Sequence, residues 1–324
     1  MGLAFVFPGQ GSQYVGMGKD LYHNFDEVKS LYSEASDILG YDVAELSFNG
    51  PAEELNKTFR TQPCLLVASI SAYIALSKKG IRPSVVSGHS LGEYSALVAS
   101  GSISFKDAVR ITEIRGRIMQ DAVPEGKGLM AAILGLNREV VDEICSKVSS
   151  NSSSVISPSS LPYYVSPANY NCPGQIVISG EKEAVEEAMK RAKEKGAKRV
   201  LPLAVSVPSH CKLMEDASRT FEVVLKDIYI KDAEIPFVNN IEARFVSDKD
   251  EIRESLVRQL SHSILWEDCV KKILSSGINT FIEVGPGKVL SGLIKRIEPS
   301  AVTFNVEDID TLNKTTSEVF DQWR

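Results

Sequence analysis

The chain has 324 residues, 43% of them hydrophobic and 24% charged, with a formal net charge of −6, a balance that suits one large globular domain carrying a smaller insert. The acidic balance excludes a global attraction to nucleic acid, and no stripe of interleaved basic and aromatic residues restores one. No uninterrupted apolar run reaches the roughly 20 residues that a bilayer crossing needs, so no membrane association is expected.

The chain opens on MGLAFVFPGQ, which lacks the basic flank and cleavage site of a secretory signal. Val6 stands where myristoylation of Gly2 would need Ser or Thr. LAFVF reads as a buried strand ending at Pro8-Gly9, and it delivers the glycine-rich turn PGQGSQ. Residues 62–80 read as a long apolar helix, SVVSG as the next buried strand, and 90–100 as a helix closed by Gly101. Alternating strands and helices predict an α/β fold around a parallel sheet.

From Gly128 the order changes to strand LMAAILG, helix NREVVDEICSKV, strands YYVSPANY and QIVISG, helix EKEAVEEAMKRAKEKG and strand RVLPLAVSV. That βαββαβ order is the split-βαβ pattern of a ferredoxin-like unit. It predicts an inserted subdomain over 126–206, with 1–125 and 207–324 forming a discontinuous core. The serine- and proline-rich SSNSSSVISPSSLP inside the insert reads as a solvated loop. Cys64, Cys145, Cys172, Cys211 and Cys269 are scattered, odd in number and form no CxxC pair. Reduced thiols in a cytoplasmic setting are expected, with neither a disulfide frame nor a zinc site.

The segment SGHSLGEYSA carries the first chemical signal. Its G-x-S-x-G spacing, after a strand and before a helix, is that of a nucleophile elbow. Gly88 and Gly92 remove side chains where the strand and helix must meet, leaving Ser90 exposed at a helix N-terminus whose free N–H groups favour a developing anion. The competing reading is an ordinary strand-to-helix turn that happens to hold Gly and Ser.

A serine nucleophile needs a base, and the chain offers His23, His89, His210 and His262. His23 lies in the polar segment KDLYHNF, and His262 in RQLSHSILW near an expected helix end. His89 adjoins the serine, but neighbours at an elbow point apart, so a structural or substrate-contacting role suits it better. His210 leaves a predicted strand in SVPSHC, with Pro208 stiffening the exit. Arg115 is the second signal. In SFKDAVRITEIRGRIMQDA it falls within the apolar stripe of Ala108, Ile111, Ile118 and Ala122, while Arg110 and Arg117 lie on the polar face. An inward guanidinium requires a carboxylate, either a structural one or one that arrives with a substrate.

Six segments in order, FVFPGQGSQYVGMG, GHSLGEYSALVASG, RGRIMQ, PANYNCPGQIVISG, SVPSHC and EVGPGKVLSGLIKRI, resemble the malonyl-CoA:acyl carrier protein transacylases and the related polyketide acyltransferase domains over nearly the whole chain. The resemblance implies an α/β-hydrolase-like core with a ferredoxin-like insert. It implies Ser90 as the acylated nucleophile, His210 as its base and Arg115 as the partner of a malonyl carboxylate. It further implies an oxyanion hole from the backbone N–H groups of Gln10 and Leu91, with His89 and Asn169 lining the pocket and no cofactor or metal. The backbone carbonyl of Leu265 is the expected partner of the imidazole, although SHSILW departs there from the proline-valine pair common among relatives.

The implied substrates are malonyl-CoA and the phosphopantetheine thiol of an acyl carrier protein. Polyketide acyl transfer, serine ester hydrolysis and a silent scaffold are the alternatives. Hydrolysis gives no reason for Arg115, and a silent scaffold none for the three residues together. Lys288, Lys295 and Arg296, or the run KRAKEKGAKR, are candidate docking cations for an acidic carrier.

Overall fold

The computed structural model describes residues 2–150, 163–203 and 207–322. Its strands in chain order are β1 (Leu3–Phe7), β2 (Val85–Gly88), β3 (Gly128–Leu134), β4 (Val165–Cys172), β5 (Gln175–Glu181), β6 (Arg199–Pro202), β7 (Phe237–Val238), β8 (Phe245–Val246), β9 (Thr280–Val284) and β10 (Val302–Val306).

Six of them form the core sheet, ordered β10-β9-β1-β2-β7-β8. All neighbours pair in parallel except β7 and β8. Every residue of β1, β2 and β9 is buried, which is why LAFVF and VVSG read as continuous apolar runs: helices cover both faces of a parallel sheet. The loops leaving the carboxyl ends of β1 and β2 carry Gln10 and Ser90 side by side, at the edge where open α/β sheets hold their ligands.

The apolar helix starts earlier than expected and spans Thr58–Lys78, 21 residues. By length and composition it could cross a bilayer, but 78% of its most apolar window is buried inside the fold, so it is the core's central helix. It packs on the helix Phe105–Asp121. A Cβ on Gly116 would stand 2.5 Å from Phe59 Cα, so the glycine sets how closely these helices approach. That closeness brings Arg115 to Gln62 on the facing helix.

The second sheet has the order β4-β5-β3-β6 and is antiparallel throughout. It carries the helices Arg138–Ser150 and Lys182–Glu194 on one face, giving the ferredoxin-like insert. The period of two along β3 assigns its faces. Ala131 and Ile133 pack under the helices with Val141, Ile144, Val185 and Ala188, while Met130 and Ala132 join Ala168 and Val177 on the other face. Of the expected strand RVLPLAVSV, the structure describes Arg199–Pro202 as strand, and 204–206 fall outside the described residues. So do 151–162, most of the expected serine-rich loop.

Candidate active site

The helix expected over 90–100 begins only at Gly92, because Ser90 has φ 52°, in the left-handed region that non-glycine residues rarely enter. The two glycines make this bend possible. A Cβ on Gly88 would lie 1.9 Å from the carbonyl carbon of Gly92, and one on Gly92 would lie 2.1 Å from the carbonyl oxygen of Phe7. Asn240 closes the bend from outside: its Oδ1 accepts from Ser90 N–H at 2.7 Å, and its Nδ2 donates to Gly88 O at 2.7 Å. Strain held by surrounding contacts of this kind concentrates at functional sites.

Ser90 Oγ lies 2.8 Å from His210 Nε2. His210 also has positive φ, 60°. Its Nδ1 lies 2.8 Å from the carbonyl oxygen of Gln259. A carbonyl only accepts, so Nδ1 carries the proton and Nε2 presents a lone pair to the serine hydroxyl. Burial, reinforced by the Arg115 charge, pushes the imidazole down to about 3, so it is neutral across the physiological range.

The backbone partner of this imidazole is therefore Gln259 and not Leu265, which corrects the expectation drawn from the resemblance. The carbonyl of Leu265 already accepts from Cys269 N–H at 2.9 Å in the first turn of helix Trp266–Ser275, and its N–H donates to Asn240 O. Gln259 is the last residue of helix Lys249–Gln259, where carbonyls lack intrahelical donors. One of those free carbonyls meets His210.

Arg115 is 1% exposed. Its Nη1 donates to Gln62 Oε1 at 2.8 Å, and its Nη2 to Gln259 Oε1 at 2.9 Å and to Ser90 Oγ at 3.4 Å. Nε has no partner among the described residues. Two carboxamides therefore aim the guanidinium without neutralising it, and no carboxylate forms an ion pair with it among the described residues. Burial lowers its proton affinity, opposed by Tyr94 and Glu93, yet a guanidinium stays charged in proteins. Among the described residues, the structural salt bridge left open by the sequence is absent.

These groups open into a cleft of about 210 Å³ between core and insert. Gln10, His89, Ser90, Leu91, Arg115 and His210 line it from the core, and Met130, Asn169, Asn171, Gln175 and Val177 from the insert. The backbone N–H groups of Gln10 and Leu91 have no acceptor among the described residues. His89 turns away from the serine: its Nε2 lies 2.9 Å from Asn171 Oδ1, and its ring meets Trp266 edge-on at 5.6 Å. Burial lowers its basicity. Asn169 is buried at the cleft wall. His23 and His262 are exposed, away from the cleft.

Sequence reasoning missed Gln62, Glu93, Asn171, Asn240 and Gln259. Glu93 alone left a trace, a carboxylate in the otherwise apolar helix GEYSALVA; its carboxyl bonds to Asn240 N–H and Gln259 Nε2. Burial raises that carboxyl above the usual range, while Asn240 N–H, Arg115 and Gln259 pull it back.

A parallel α/β core that presents a bent serine, a neutral imidazole and an unneutralised cation to one cleft is the architecture of an acyltransferase enzyme. The chain belongs to the acyl transferase family, whose model, described as "Acyl transferase domain", matches residues 4–309. Within that family it groups with the malonyl CoA-acyl carrier protein transacylases. It is 46% identical over 310 residues to the one from Bacillus subtilis (strain 168), covering 96% of this chain and 95% of that protein. It is 47% identical over 315 residues to the one from Escherichia coli (strain K12), covering 94% and 98%.

Among solved structures, an acyl carrier protein S-malonyltransferase from Vibrio cholerae matches with TM-score 0.91 and 45% identity over 97% of this chain and all of that one (100%). A malonyl-transacylase solved in complex with a holo type II PKS acyl-carrier protein matches with TM-score 0.93 and 47% identity, covering 98% and 100%.

Proposed function

We propose that this chain moves the malonyl group of malonyl-CoA to the phosphopantetheine thiol of an acyl carrier protein, by way of a malonyl ester on Ser90, and so supplies fatty acid elongation in the cytoplasm. The observation that carries this reading is the Arg115 guanidinium, buried, aimed by two carboxamides and 3.4 Å from the serine oxygen. A substrate with a second carboxylate, held where its thioester meets Ser90, supplies the missing partner in a bidentate pair.

As Ser90 Oγ attacks the thioester carbonyl, its proton passes to His210 Nε2, and Gln259 O stabilises the imidazolium through Nδ1–H. The N–H groups of Gln10 and Leu91 take the oxyanion; losing one such donor costs on the order of 3 kcal/mol in other acyl-transfer enzymes. Collapse breaks the carbon–sulfur bond, and the leaving coenzyme A sulfur takes the proton back from His210. The carrier thiol then gives its proton to His210, attacks the ester, and returns Ser90 to its hydroxyl form.

We assign 1–125 and 207–324 to the catalytic core and 126–206 to the insert that walls the cleft. His89 and Asn169 shape that wall. Carrier docking falls to two exposed cations, Lys288, which precedes the helix Val289–Ile297, and Lys295 within it; Val289, Leu290 and Leu293 of the same helix line the cleft. Initial-rate kinetics test the reading. Parallel double-reciprocal lines with malonyl-CoA and holo carrier are expected, and intersecting lines, or malonate release that ignores the carrier, overturn it.

A further inference from the structure

Glu93 has no solvent contact and, among the described residues, no ion pair to explain it. Its side chain is fully buried (0%) behind the nucleophile, on the first turn of the helix Gly92–Ala99. One oxygen accepts from the backbone N–H of Asn240, whose side chain grips the Ser90 bend on both sides. The other accepts from the carboxamide nitrogen of Gln259. That nitrogen also donates to Ser90 O at 3.0 Å, while the carboxamide oxygen accepts from Arg115 Nη2 at 2.9 Å.

A primary amide has a donor end and an acceptor end of nearly equal size, so packing alone does not decide which way it faces. Here the consequences differ sharply. With its oxygen toward Arg115, Gln259 accepts from the guanidinium; reversed, two donors would confront each other, and the amide oxygen would face Ser90 O. Burial pushes the Glu93 carboxyl up to about 8, yet both of its oxygens face N–H donors and neither has an acceptor among the described residues to receive an acid proton, so the hydrogen-bond pattern holds it as the carboxylate. A carboxylate only accepts, which pins the Gln259 nitrogen on its side and the oxygen on the side of Arg115.

We propose that Glu93 is a positioning residue for acyl-group selection: it fixes the orientation of the Gln259 carboxamide, and through it the aim of Arg115 at the substrate's free carboxylate. This rests on the malonyl-transfer reading above and assigns Glu93 no contact with substrate. The contact with Asn240 lets the same carboxylate support the bend, but the two arms separate on substitution. In Glu93→Gln the new amide keeps its oxygen toward Asn240 N–H and turns its nitrogen toward Gln259. That reverses Gln259 and disturbs Arg115 while leaving the elbow clamp in place.

The test compares Ser90 acylation by malonyl-CoA and acetyl-CoA in the full chain. Glu93→Gln is expected to lower kcat/KM for malonyl-CoA by about 10-fold or more while changing that for acetyl-CoA less than about threefold, so the preference collapses. Gln259→Met, which keeps the backbone carbonyl for His210, is expected to give the same collapse, and Glu93→Gln added to it no further one, because the two act as one unit. If Glu93→Gln does not fold, Glu93→Asp carries the test: it keeps an acceptor but retracts it, and the preference falls. Equal losses for both thioesters, or an unchanged preference, overturn the inference. A wild-type protein with no preference for malonyl-CoA overturns the underlying reading instead.

Discussion

Arg115 Nη2 stands 3.4 Å from Ser90 Oγ, so the cation and the serine share one small cleft. The distance is long for a hydrogen bond, and the guanidinium is held by Gln62 and Gln259 rather than by the serine. Arg115 is a fixed charge in the cleft wall, and the proposed malonyl transfer has the substrate's carboxylate complete it.

Truncating this charge separates binding from chemistry. Removing one partner of a buried, hydrogen-bonded charge pair costs about 2–5 kcal/mol. Arg115→Ala is therefore expected to lower kcat/KM for malonyl-CoA by roughly 10²-fold or more, while sparing or improving acetyl-CoA. Parallel thioester kinetics check it, and an unchanged malonyl preference refutes the role.

Acidity should touch stability before it touches the base. His210 has an ordinary value of 6.5 that folding pushes down to about 3. Between those values the unfolded chain binds a proton that the native chain refuses, so stability is complete above about pH 6.5 and declines as pH falls toward 3. Urea titrations over that window should show the decline, and His210→Gln should flatten it. Labelling of Ser90 by a fluorophosphonate should show no inflection near 6.5, because the buried base is already neutral there. An inflection at that pH would mean a solvated imidazole.

Gly88 tests the bend itself. An added Cβ would meet the Gly92 carbonyl carbon at 1.9 Å, and this neighbour is backbone that can yield only by moving Ser90. Overpacking generally costs about 1–3 kcal/mol. Gly88→Ala should lower the thermal midpoint and suppress fluorophosphonate labelling together; a variant as stable and as reactive as the wild type would refute the steric argument.

The carrier surface separates by charge reversal. Arg296 is occupied, donating to Gln175 Oε1 and Pro173 O across the β4–β5 turn of the insert, so reversing it would loosen the two sheets. Lys288 and Lys295 are exposed. Reversing both should raise KM for the carrier several-fold and leave KM for malonyl-CoA unchanged. Unchanged carrier kinetics dismiss the patch.

Much of this arrangement was legible locally. The elbow is written in two glycines flanking Ser90, the insert in the βαββαβ order, and the inward cation in one arginine on an apolar stripe. What stayed hidden depends on distant chain segments. His210 meets Gln259 across 49 residues and Ser90 meets Gln259 across 169, and no periodicity predicts which helix end supplies a free carbonyl. The expected Leu265 failed for that reason: a backbone acceptor has no residue-type signature, and only the fold shows that its carbonyl is already used. The early start of the helix Thr58–Lys78 also escaped, because in its first turn Phe59 stands alone among the polar Thr58, Arg60 and Thr61 and sets up no apolar period.

An ester at Ser90 is the intermediate that the proposed malonyl transfer requires. The protein should be exposed to malonyl-CoA, freed of excess reagent, digested for mass spectrometry, and in a parallel sample chased with holo carrier protein. Malonyl on the Ser90 peptide that disappears into the carrier thiol, and is absent from Ser90→Ala, is the predicted result. Malonyl on another residue, or a carrier loaded equally well by Ser90→Ala, would contradict it.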